Sequence, residues 1–104
     1  LGRVGLTEQA ARDKNLDIKV AVLPAAAIPR ARLMGETTGM LKAVVDAKTG
    51  TILGCALHCA DAGEMINVVE TAIRAGKDYT FLRDMIYTHP SMTEALNDLL
   101  SKIK

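Results

Sequence analysis

MLKAVVDAKTGTILGCALHC, residues 40–59, reads as two extended runs around a turn, and it decides the fold class. Met40 to Asp46 and Thr51 to Cys59 are rich in β-branched and aliphatic residues. Ala47-Lys48-Thr49-Gly50 lies between them and ends on a glycine able to take the positive φ of a tight turn. The stretch predicts an antiparallel hairpin. Leu41, Ala43 and Val45 share a face of its first strand. On the second, alternation puts Leu53, Cys55, Leu57 and Cys59 on one face and Ile52, Gly54, Ala56 and His58 on the other. Both faces of that second strand are largely apolar, which predicts an internal strand.

On the N-terminal side, DIKVAVL at residues 17–23 predicts another strand, halted by Pro24, which cannot donate to a central ladder. Thr7 can cap a short helix over Glu8 to Lys14, with Asn15 as its stop. Ala25 to Glu36, bounded by Pro24 and broken by Pro29 and Gly35, reads mostly as loop. On the C-terminal side, Asp61 with Glu64 has the form of a capping box for a helix to Ala75, and Gly76 suits its left-handed end. Met65, Ile66, Val69, Ala72 and Ile73 form the inner stripe. Val68 and Ala75 fall off it, so this helix is expected to meet a second surface, another subunit being one option. FLRDMI, residues 81–86, suits one or two helical turns. Met92, Ala95, Leu96, Leu99, Leu100 and Ile103 then repeat at the spacing of an amphipathic helix. The sum is an α+β fold: an antiparallel sheet with helices packed on it.

Composition narrows the function. The 104 residues suit one domain, 1–104, able to bury about 60 to 70% of its unfolded surface. At 49% hydrophobic and 24% charged residues, apolar surface should remain for self-association. Thirteen Lys and Arg against twelve Asp and Glu, with no basic cluster or aromatic platform, argue against nucleic acid. No apolar run is long enough to span a bilayer and no signal-peptide order opens the chain, so a soluble cytoplasmic protein without membrane attachment is expected. The first residue is Leu1, not methionine, which reads as a piece of a longer chain.

One titratable group needs its own account. His89 and Pro90 stand just before the last apolar stripe, and Ser91 with Glu94 forms S-x-x-E, a second capping box. Spacing alone leaves two readings of His89 open, a surface histidine in a turn or a functional one, and lets Glu94 simply cap.

THPSMTEAL, residues 88–96, resembles the His-Pro-Thr-x-x-Glu signature of the C-terminal dimerisation domain of FAD-dependent pyridine nucleotide-disulfide oxidoreductases, the family of glutathione reductase, dihydrolipoamide dehydrogenase and mercuric reductase. VGLTEQAA at 4–11 and PRARLMGETTGMLKAVVDAKTGTILGCALHCADAGEMIN at 29–67 fall in that domain's usual order, so the resemblance covers nearly the whole sequence. Ser91 replaces the usual threonine and keeps the hydroxyl of the cap.

The resemblance implies a homodimer in which His89 reaches the partner subunit's redox-active cysteine pair as a proton shuttle, oriented by Glu94. An imidazole changes charge near neutral pH, and thiol–disulfide exchange requires a thiolate, so the chemistry is coherent. His89 and Pro90 are the residues implied to approach the cofactor, and a cis His89-Pro90 bond is implied as well. FAD and NAD(P)H would bind upstream domains of the parent chain, since no G-x-G-x-x-G occurs here; none is expected on this domain alone, which should be inactive by itself. The ending LLSKIK has no cysteine pair, which within the resemblance weighs against mercuric and large thioredoxin reductases. The alternative is a free-standing homodimerisation module without chemistry.

Cys55 and Cys59 match no family motif. Four apart in a strand, they would lie about 13 Å from each other, too far for a disulfide, and are expected to be buried thiols. A zinc site from Cys55, His58, Cys59 and His89 fits no usual ligand spacing, so no metal is expected. Arg30, Arg32 and Tyr87 suit either substrate or interface contact.

Overall fold

The fold, taken from a computed structural model, is described over residues 1–103. Its centre is a four-stranded, wholly antiparallel sheet in the order β1-β4-β3-β2. The quoted hairpin supplies β3 (Met40–Asp46) and β4 (Ile52–His58). Its turn forms because the Asp46 carboxylate accepts the backbone N–H groups of Lys48 and Thr49, each at 2.8 Å, while Gly50 takes φ 77°. β4 is internal, as its two apolar faces require.

The alternation in β4 is broken. The register slips between Val44 and Val45, pairing Val44 with Gly54 and Val45 with Ile52, so Leu53 is the extra residue of a bulge. Ile52 is thereby buried with Val45 and Leu53 is left half-buried, the reverse of what strict alternation assigns.

β2 (Ile18–Pro24) is an edge strand, and Pro24 closes it opposite Met40 without breaking an interior ladder. The other edge, β1 (Gly2–Gly5), has no strand-like pattern in the sequence. It forms through close approach: a Cβ on Gly2 would lie 2.7 Å from the Ala62 carbonyl oxygen, and one on Gly54, beside β1, would overlap the Leu6 carbonyl.

Helices α1 (Glu8–Asp13), α2 (Pro29–Met34), α3 (Ala62–Arg74), α4 (Tyr79–Arg83) and α5 (Ala95–Leu100) surround the sheet. Thr7 caps α1 as expected, accepting from the Ala10 N–H at 3.0 Å. The loop expected over 25–36 instead holds a 3-10 turn (Ala25–Ala27) and α2, because Pro29 sits at a position where a helix needs no N–H and Gly35 closes the helix at φ 73°. The two apparent breakers punctuate a helix. Asp61 is a second correction: it holds a left-handed φ of 59° and its side chain makes no cap.

α3 lies against β1 and β4, and α5 against β2 and β3. Leu23, Leu41, Leu57, Met65, Val69, Leu96 and Leu99 merge into one cluster between them. Each fully buried large aliphatic contributes about 1.5–3 kcal/mol. On the other side of the sheet, Val44 and Ala11 are buried outside that cluster, where α1 crosses and Glu8 pairs with Lys42. The stripe predicted from Met92 to Ile103 is buried throughout, yet only Ala95–Leu100 is α-helical; its entry is wound more tightly, with Ala95 N–H to Met92 C=O and Leu96 N–H to Thr93 C=O. The off-stripe residues of α3, Val68 and Ala75, line a groove of about 460 Å³ with Phe81, Leu82 and Met85 of the same chain.

Candidate functional site

His89 and Glu94 are brought together at the entry to α5. The ring Nδ1 lies 2.9 Å from Glu94 Oε1 and 3.0 Å from Oε2. The same carboxylate accepts the Ser91 backbone N–H at 2.8 Å, and Ser91 Oγ accepts the Glu94 N–H at 3.3 Å, so the capping box is closed. Capping and ring contact use one carboxylate. Its pKa is held below the usual carboxylate range, first by the hydrogen bond to His89 and then by that to the Ser91 backbone.

The geometry assigns the tautomer. An ionised carboxylate only accepts, so Nδ1 carries the proton of the neutral ring and Nε2 carries the lone pair. The two partners differ sharply in exposure, with 70% of the His89 side chain open and 19% of that of Glu94. The ring is thus held through Nδ1 and largely open to solvent, and the His89-Pro90 peptide that carries it is cis.

Three supports were not legible in the sequence. Ser91 Oγ donates to Thr88 C=O at 2.6 Å; Asn97 donates through Nδ2 to the carbonyls of Arg83 and Met85, both at 2.8 Å; and Tyr87 donates its hydroxyl to Leu82 C=O at 2.9 Å. Half-buried Tyr87 has its pKa pushed up to about 12 by desolvation, so it serves as a neutral donor. Arg30 and Arg32 belong to α2, apart from this hydrogen-bonded set.

The cysteines play no part in it. Burial pushes the Cys55 thiol up to about 12, and Cys59, half-buried instead of fully buried, is also raised by desolvation. Its sulfur lies 3.8 Å from that of Met65. Among the described residues no group of three or more His, Cys, Asp and Glu side chains is placed to hold a metal ion, and no helix is long and apolar enough to cross a membrane.

Residues 1–100 match the pyridine nucleotide-disulphide oxidoreductase dimerisation domain. The chain belongs to that family. It is 57% identical over 104 residues to the probable pyridine nucleotide-disulfide oxidoreductase RclA of Escherichia coli (strain K12), covering 100% of this chain and 24% of that protein. A mercuric reductase of Bacillus cereus is 40% identical over 96 residues, 92% of this chain and 15% of that one, so the likeness extends to mercuric reductases. Among solved structures, the HOCl-induced flavoprotein disulfide reductase RclA from Escherichia coli matches with a TM-score of 0.95 and 57% identity over 98% of this chain and 23% of that one. This domain therefore spans about a quarter or less of the length of these relatives.

Proposed function

We propose that residues 1–104 are the interface unit of a homodimeric, cytoplasmic FAD- and NAD(P)H-dependent disulfide oxidoreductase, and that His89, oriented by Glu94, shuttles protons for the redox-active disulfide of the partner subunit. The observation that carries this is a ring held through Nδ1 by Glu94 while 70% of its side chain stays exposed. A histidine kept only for the turn would not need a buried-side carboxylate to set its tautomer.

The residues fit contact with a cofactor held elsewhere. His89 and Pro90 are both exposed, which leaves them open to a flavin held across a dimer. When bound in the upstream domains, FAD would pass an electron pair from NAD(P)H to the disulfide. This chain's part is the proton. Nε2 takes one from the reduced pair's thiol, leaving the thiolate that attacks the acceptor, and the resulting imidazolium returns it to the thiolate that departs. Glu94 stabilises the imidazolium without itself being protonated.

The test is His89→Ala in the full-length flavoprotein, mixed anaerobically with dithiothreitol while flavin bleaching is followed. Slowed bleaching, with FAD and the dimer retained, is expected. Unchanged bleaching overturns the shuttle. A full-length reading frame without an FAD-binding segment and its cysteine pair would instead favour a free-standing dimerisation module.

A further inference from the structure

The connector between α4 and α5 is held in an unusual way. Asp84, Met85, Ile86, Thr88, His89 and Pro90 are exposed, Ile86 to 97%, and only Tyr87 is half-buried. Among the described residues no backbone-to-backbone hydrogen bond ties positions 85–90. No ladder fixes its path, and burial fixes it only at Tyr87, which packs against the core and donates to Leu82 C=O, so other side chains must hold the rest. Ser91, Glu94 and Asn97, spaced by three, each take one point of it: Ser91 holds Thr88 C=O, Glu94 holds the His89 ring, and Asn97 holds the carbonyls of Arg83 and Met85. Asn97 grips the end remote from the histidine. Two carbonyl oxygens at 2.8 Å can be met only by the NH2 end of the amide, which fixes its orientation.

We propose that Asn97 is a positioning residue for proton transfer: its hydrogen bonds to Arg83 at the end of α4 and to Met85 of the connector help set where the His89 ring stands, independently of the tautomer that Glu94 sets. The inference rests on the shuttle role of His89 for its kinetic consequence, but not for its geometry. Without Asn97 the connector loses its tie to α5 at Met85, and the ring is held only through Tyr87, Ser91 and Glu94, which leaves the Met85–Ile86 stretch free to shift and to carry His89 with it.

The experiment uses the full-length flavoprotein carrying Asn97→Ala, His89→Ala or both, with Asn97→Asp as an isosteric variant that has no donor. Thermal midpoints and FAD content select the variants that remain folded. Anaerobic flavin bleaching by dithiothreitol should slow between about tenfold and about a hundredfold in Asn97→Ala, the range expected when a reacting group is displaced by ~1 Å. In the His89→Ala background the same change should add no further slowing, and turnover with ferricyanide, which needs no thiol step, should not move. Equal slowing in both backgrounds overturns the proposal. If His89→Ala proves silent, the shuttle reading fails by itself, and a crystal structure of the Asn97→Ala dimer decides the clasp: a displaced His89 ring supports it, and an unmoved ring ends it.

Discussion

Glu94→Gln separates the two duties of one carboxylate. Glu94 accepts from His89 Nδ1 at 2.9 and 3.0 Å and from the Ser91 N–H at 2.8 Å, three contacts that only an acceptor-only group can make together. Glutamine has one carbonyl oxygen. Turned to Ser91 it keeps the cap, but its NH2 then faces Nδ1, which must become the lone-pair nitrogen, moving the proton to Nε2 and leaving the exposed face without a base. Turned to His89 it keeps the tautomer and sets an NH2 against the Ser91 N–H. The cap is worth about 1 kcal/mol, and the ring contact, with His89 largely in water, adds at most about 1 kcal/mol. A loss of about 1–2 kcal/mol in stability is therefore expected. The kinetic loss should be larger, about tenfold to a hundredfold in dithiol-driven flavin reduction, because the tautomer and the imidazolium both depend on the charge. The pH dependence has a definite sign. The folded pKa of Glu94 lies below its ordinary value of 4.5, so its stabilisation is complete above that value and disappears as pH falls through the folded pKa. The stability gap between wild type and Glu94→Gln, measured by denaturant titration, should shrink as pH falls below 4.5 and the carboxylate is protonated. A gap that persists undiminished well below pH 4.5, or bleaching equal to wild type, refutes the reasoning.

Ser91→Ala removes the Oγ that accepts from Glu94 N–H and donates to Thr88, and should cost about 0.5–2 kcal/mol in a urea melt, while Ser91→Thr, which keeps the hydroxyl, should restore most of it. Leu96→Ala opens a cavity at a wholly buried site between α5 and the sheet; a destabilisation of about 2–5 kcal/mol is expected by the same measurement. Thiol titration of the native domain at pH 8 should leave Cys55 unmodified until the fold opens and modify Cys59 more slowly than a free thiol, since burial raises both. Rapid native labelling of Cys55 would contradict its burial.

The legible parts of the fold were those with a period. The hairpin, β2, α3 and the apolar stripe of α5 all carry a repeat of two or of three and four, and each stands where its pattern puts it. The illegible parts depend on contacts between distant segments. β1 is four residues with two glycines, and it is a strand because Gly2 and Gly54 let backbones approach. α2 is hidden by Pro29 and Gly35, which look like breakers in isolation and act as its first residue and its terminator. The Leu53 bulge leaves no mark in the alternation at all. At the site, S-x-x-E was readable as a cap. The His89 contact with Glu94 came only from the family resemblance, because partners five apart across a turn follow no helical or strand spacing. Asn97 gave no signal beyond a polar residue among leucines, since its carbonyl partners lie 12 and 14 residues away.

α5 explains why so short a helix can organise a reactive group. Its inward side, Leu96, Leu99 and Leu100, belongs to the core under the sheet, so rotating or sliding the helix would empty several buried sites at once. That packing fixes the frame from which Ser91, Glu94 and Asn97 project toward the connector. The connector itself has no buried anchor except half of Tyr87, and its most apolar residue, Ile86, faces water. The position of the imidazole is therefore set by hydrogen bonds referenced to a rigid core, together with the packing of Tyr87 two residues before it. Such a design leaves the ring open on the side where a partner would approach, and it concentrates the cost of any disturbance in three polar side chains. If the connector held its path by packing at Tyr87 alone, Asn97 would be dispensable; its two hydrogen bonds, to Arg83 and Met85, are what tie the first part of the connector to α5.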